Sequence, residues 1–118
     1  MPGSNELTFS GLILSDQSSP HITAPEPGLR RQILASTSAM MLVRHDMCRG
    51  WRGAAHRHRH EQLVYVISGR IQVEVNGAVF DAAAGDNFII APNVEHQASA
   101  LEDSVVLDVF TPAREDYL

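Results

Sequence analysis

From Leu29 onward the chain reads as eight short apolar runs closed by turn signals, at residues 29–36, 39–47, 62–68, 70–76, 78–83, 87–92, 96–101 and 105–111. No stretch of ten or more residues shows the 3.6-residue period of an amphipathic helix. The run RIQVEVN alternates most cleanly, with Ile71, Val73 and Val75 on one face and Gln72 and Glu74 on the other. Asn76-Gly77 follows it, the pair that a two-residue hairpin demands because both positions need positive φ. Many short strands at this spacing predict an all-β sandwich or barrel.

At 118 residues the chain suits one domain with a real core. Residues 7–14, LTFSGLIL, can form one short strand at a barrel edge or against a second subunit. Residues 15–28 hold three prolines and read as a loop. The division expected is therefore a lead-in over 1–28 and a barrel over 29–118. Net charge is −5, which argues against a nucleic-acid partner. No apolar run is long enough for a membrane span, and none resembles a signal peptide. The single cysteine, Cys48, allows no internal disulfide and fits a reducing compartment, so a cytoplasmic protein is expected. Cys48 itself is expected to be buried or in a pocket wall, and His21 to lie at the surface. Trp51 is expected to be buried for stability, though it could floor a pocket. Met40, Met41, Val43 and Met47 read as barrel lining or interface.

The chemistry concentrates between Gly50 and Gly69, GWRGAAHRHRHEQLVYVISG. His56, His58, His60 and Gln62 occupy every second position, so an extended backbone would aim all four the same way and turn Arg57 and Arg59 to solvent. Imidazole is the commonest protein ligand for divalent transition metals. Such a run can equally be a solvated basic patch. A partner elsewhere favours metal: the apolar segment opened by Gly85-Asp86 ends at His96, a natural third imidazole.

The first block is G-x5-H-x-H-x3-Q-x6-G, from Gly50 to Gly69; the second is G-x5-A-x-N-x2-H, from Gly85 to His96. Together they resemble the two signature motifs of the cupin superfamily, and the fifteen residues between them, 70–84, match its compact microbial members. The resemblance covers residues 28–118 and implies a single jelly-roll barrel. Gln62 departs from the usual Glu or His, and Ala91, Asn93 and Ala100 from the usual Pro, Gly and Asn. Asn at 93 still tolerates a left-handed turn. The ligand set implied is His56, His58, Gln62 and His96 around one divalent transition metal: Zn, Ni, Fe or Mn. In cupins the position of His60 is usually not a ligand, although its spacing leaves it open. Three imidazoles and a carboxamide are all neutral, so the ion would keep its full charge and favour an anionic, oxygen-rich substrate.

The last segment, VVLDVFTPAREDYL, places Asp108 and Phe110 on one strand face and Arg114 beyond a Thr-Pro turn. A carboxylate near a metal can act as general acid or base, and a guanidinium can grip a carboxylate bidentately. This tail resembles that of small cupins of pectin and alginate breakdown, whose implied activity converts 4,5-unsaturated monouronates to the linear 5-keto form. The resemblance assigns proton transfer to Asp108, the uronate carboxylate to Arg114 and sugar packing to Phe110. The alternatives are a cupin metal dioxygenase and a non-catalytic small-molecule-binding barrel. An exposed strand edge is a liability that pairing removes, so a homodimer is expected.

Overall fold

Strand β7 (Arg70–Val75) buries Ile71 and Val73 and turns Glu74 to solvent, as its alternation predicts. It returns through Asn76 (φ 50) and Gly77 (φ 81) into β8 (Ala78–Ala83), with Val75 opposite Ala78. On its other edge lies β10 (His96–Ala100), which completes a three-stranded antiparallel sheet. A computed structural model of the chain describes residues 7–9 and 11–118.

A six-stranded antiparallel sheet faces this one. Its strands are β3 (Ile22–Glu26), β4 (Leu29–Ser36), β5 (Met41–Met47), β6 (Glu61–Ser68), β9 (Asn87–Ile90) and β11 (Ser104–Thr111), in the order β3-β4-β5-β11-β6-β9. The expected all-β jelly-roll architecture is what the chain adopts. Among the described residues no helix is long and apolar enough to cross a membrane.

Two apolar clusters line the inner face of the six-stranded sheet, and the first of them also takes in the three-stranded sheet. One holds Leu29, Met47, Val64, Val66, Ile71, Val73 and Val106, and the other holds Ile33, Met41, Val43, Phe110 and Ala113. Strand parity threads both through a polar layer. On β5 the inward residues are Met41, Val43, His45 and Met47; on β11 they are Ser104, Val106, Asp108 and Phe110. Each strand therefore enters one cluster, crosses a polar position and ends in the other. Gly69, at φ +83, is required for packing: a Cβ there would overlap Asp103 and Ser104.

Three segments differ from their sequence reading. In place of one strand, the first segment gives two paired antiparallel strands, β1 (Leu7–Phe9) and β2 (Leu12–Leu14), with Gly11 at φ +74 just before the second. The turn-rich stretch contains β3, an exposed edge strand that accommodates Pro25 across a register shift between Thr23 and Glu26. The His56–His60 stretch is not a regular strand. It is tied down at a bridge between His56 and His96 and by Asn93 N–H donating to His58 O at 2.7 Å, then bends into β6. Cys48 is exposed, against expectation, since β5 ends at Met47 and the chain leaves the core there. His21 is exposed as expected, and Met40 is exposed while Met41, Val43 and Met47 line the interior. Trp51 is half-buried; its indole donates to Glu26 Oε1 at 2.6 Å and it forms part of a cavity wall.

Candidate metal centre

The segment between β5 and β6 runs beside β10, with bridges at Arg52–Ser99 and His56–His96. This brings His56 and His58 to His96. One ring nitrogen from each lies within 4.8 Å of the other two. Backbone carbonyls fix which ring nitrogens are free to ligate. His56 Nδ1 meets Ala54 O at 3.0 Å, His58 Nδ1 meets His60 O at 3.0 Å, and His96 Nδ1 meets Val94 O at 2.9 Å. A carbonyl only accepts, so each Nδ1 carries a proton and Nε2 is the atom left to ligate. His96 Nε2 is buried without a hydrogen-bond partner among the described residues.

Gln62 enters from the inward face of β6. Its Nε2 donates to Asp108 Oδ1 at 2.8 Å, and its Oε1 lies 3.0 Å from His58 Nε2. Two lone-pair atoms thus face each other, an arrangement that a cation between them would relieve. The residues therefore suit a divalent ion by donor type and tautomer as well as by proximity. Burial lowers the pKa of His58, with Arg114 and His96 adding to the effect, and burial likewise lowers that of His96. Both rings are then neutral at pH 7, the form that can ligate. His60 stands apart: it is buried, with its ring 6.4 Å from that of Phe110, and it is not in the three-histidine group. The bend before β6 turns it into the second apolar cluster.

The cavity beside the histidines measures about 380 Å³; its wall includes His56, Gln62, His96, Asp108 and Arg114 on the polar side. Arg114 is buried and pairs bidentately with Asp116, Nε to Oδ1 at 3.0 Å and Nη2 to Oδ2 at 2.7 Å. Its guanidinium stacks on Tyr117 at 4.3 Å, while Nη1 is buried with no hydrogen-bond partner among the described residues. Burial acts against the charge, but Asp116, Tyr117 and Asp108 outweigh it and hold the pKa above its ordinary value. A fixed cation with one unused buried donor is prepared for an anion. Phe110 is not in the cavity wall. It lies edge-on to His58 at 5.8 Å and 5.2 Å from the Arg114 guanidinium, supporting both.

Sequence reasoning passed over His45, Arg31, Tyr117 and Asp116. His45 had a legible signal, a polar residue at the buried parity of Met41, Val43 and Met47. Its Nδ1 lies 2.7 Å from Asp108 Oδ2, and Arg31 Nε donates to its Nε2 at 3.0 Å.

Residues 44–110 match the family model described as a cupin domain. The chain is a cupin. The pectin degradation protein KdgF of Dickeya dadantii (strain 3937) is 32% identical to this cupin over 93 residues, 77% of this chain and 84% of that protein. Among solved structures, KdgF from Halomonas sp. is 39% identical with a TM-score of 0.79, covering 82% of this chain and 90% of that one. An RmlC-like cupin from Shewanella frigidimarina NCIMB 400 is 35% identical with a TM-score of 0.84, over 89% and 95% of the two chains.

Proposed function

We propose that this cupin is an enzyme that converts a 4,5-unsaturated uronate to its linear 5-keto form, using one divalent transition metal held by His56, His58, His96 and Gln62 Oε1. The buried, partnerless Nη1 of Arg114 beside the three-histidine group is the observation that carries this reading. It supplies a carboxylate grip within the same cavity as the ligands. The likeness to two KdgF proteins, one described by its role in pectin degradation, supports a sugar acid as the substrate class.

A bound divalent ion supplies Lewis acidity, polarising substrate oxygens that reach it. The protein's own residues do the rest. Arg114 holds the carboxylate through Nη1 while Asp116 fixes the other edge of the guanidinium. Asp108, buried in the cavity wall, accepts a substrate hydroxyl proton and returns a proton to C4. The C1–O5 bond breaks as C1 becomes an aldehyde, and the enol left at C5 becomes a ketone as C4 takes the proton, with no change in the formula of the sugar. Phe110 keeps Arg114 and His58 in place from behind.

The test is turnover of unsaturated galacturonate by metal-loaded protein, followed as loss of the enol-ether ultraviolet absorbance, with elemental analysis of wild type and His96→Ala. Metal bound by wild type and lost in the variant, with turnover that needs Asp108 and Arg114, supports the reading. Metal without turnover overturns the substrate, and oxygen uptake by iron-loaded protein would instead assign a dioxygenase. A protein that binds neither metal nor substrate contradicts the enzyme reading, and sugar binding alone would favour a binding barrel.

We also propose a cytoplasmic homodimer. The outer face of the six-stranded sheet exposes Leu63, Tyr65, Ile67 and Ile89, with Leu63 directly opposite Ile89. A second copy of this face would cover them.

A further inference from the structure

We propose that Arg31 and His45, which lie outside the assigned ligands and proton carrier, are positioning residues that fix which atom Gln62 presents to the metal. This rests on the metal-centre reading above, in which Gln62 ligates through Oε1. Arg31 and His45 face each other directly across β4 and β5, and both turn inward. His45 in turn lies diagonally from Asp108 on β11, since Asp108 is opposite Val43 and Val106 is opposite His45. The three strands therefore bring three polar side chains into one line between the two apolar clusters.

The direction of every hydrogen bond in this line follows from its far end. A guanidinium has donors and no acceptor. Arg31 Nε donates to His45 Nε2 at 3.0 Å, so that nitrogen must carry the lone pair. The neutral ring then has its proton on Nδ1, which donates to Asp108 Oδ2 at 2.7 Å. Asp108 is left as an acceptor on both oxygens, and Oδ1 takes the Nε2–H of Gln62 at 2.8 Å. With its amide nitrogen committed, Gln62 can present only Oε1 toward His58 Nε2, 3.0 Å away. An amide flipped end for end would aim N–H donors at the ion and bind nothing.

Tyr117 braces the start of the line. The Arg31 guanidinium lies over its ring at 3.6 Å, and the ring meets His45 edge-on at 6.1 Å. The groups facing His45 are thus Arg31, Asp108 and Tyr117. A carboxylate at position 62 would need no such device, because both of its oxygens ligate. A carboxamide needs its polarity imposed, and here it is imposed from β5 and β4, two and three strands away from β6.

The primary measurement is ¹⁵N NMR of the histidine rings in metal-free wild-type protein, alongside affinity for Zn and Ni by chelator competition. His45 is expected as the neutral Nδ1–H tautomer at pH 7.5. Arg31→Met is expected to release that tautomer preference and weaken metal binding by about 10- to 100-fold, the usual effect of losing a ligand's supporting partner. His45→Leu should do the same, whereas His45→Asn, which can place an N–H toward Asp108, should recover most of the affinity. Thermal unfolding of each variant separates this from general loss of fold. His45 found as the Nε2–H tautomer or as imidazolium in wild type overturns the proposal, even if a variant fails to fold. So does unchanged metal affinity in folded Arg31→Met and His45→Leu. Wild-type protein that binds no metal overturns the metal-centre reading, while the His45 tautomer still reports on the Arg31–His45–Asp108 line.

Discussion

Asp108 and Gln62 sit diagonally on neighbouring strands, Asp108 opposite Val64 and Gln62 opposite Phe110, and are joined by a 2.8 Å hydrogen bond from Gln62 Nε2 to Asp108 Oδ1. One contact thereby links the residue proposed to move protons with the residue proposed to complete the metal ligands. Asp108→Asn keeps size and removes the carboxylate. We expect kcat to fall by roughly 10²- to 10⁴-fold, the range for a general acid–base group. Steady-state kinetics on unsaturated galacturonate, with circular dichroism to verify the fold, would check it; near-normal kcat would remove Asp108 from the chemistry.

Arg114 is held by Asp116 on one edge, and its Nη1, unpartnered among the described residues, is the donor proposed to hold the substrate carboxylate. Arg114→Lys keeps the charge and loses the planar fork. The expected loss is about 1.5–3 kcal/mol of binding, roughly 10- to 150-fold in kcat/KM and carried mainly by KM. A decarboxylated substrate analogue should show little difference between the two proteins.

The lowered pKa values of His58 and His96, both caused first by burial, give metal-free protein a pH-dependent stability. The unfolded chain binds protons at the ordinary pKa near 6.5, above the folded values, so it takes up more protons as pH falls through that range. Stability is present above about pH 6.5 and is lost as pH drops below it, levelling off once the folded rings titrate. Melting temperature against pH in excess chelator should show this decline, and His96→Ala should flatten part of it. An unchanged slope in the variant would count against His96 as a contributor.

Phe110 is fully buried between Arg114 and His58. Truncation to Ala is expected to cost about 3–5 kcal/mol of stability, as for other buried aromatic residues. Metal affinity should fall as well, because the His58 ring loses its backing. Denaturant unfolding and chelator competition measure the two effects separately.

Ile89 is 66% exposed at the outer edge of the sheet. If copies pair through this face, Ile89→Lys should shift the protein toward monomer in light scattering while leaving the cavity intact. A monomeric wild type would dispose of the dimer.

Strand positions were legible because alternation and turn chemistry are local properties: residues 29–36 and 78–83 are strands β4 and β8 to the residue. The three-histidine group was legible from paired motifs. What alternation could not show was the path of residues 48–60, where bridges to β10, a non-local partner, replace regular pairing. The same limit hid Arg31, whose role depends on a residue fourteen positions away. His45 was within reach of parity alone, as the one polar residue among buried apolar ones on β5.

The threading of β5 and β11 through both apolar clusters ties folding to chemistry. Val43, His45 and Met47 share one strand face, as do Val106, Asp108 and Phe110. A strand that rolls or slides to accommodate a larger or smaller core side chain carries its polar residue with it. The placement of His45 and Asp108 in this barrel can therefore drift through substitutions that never touch the cavity wall.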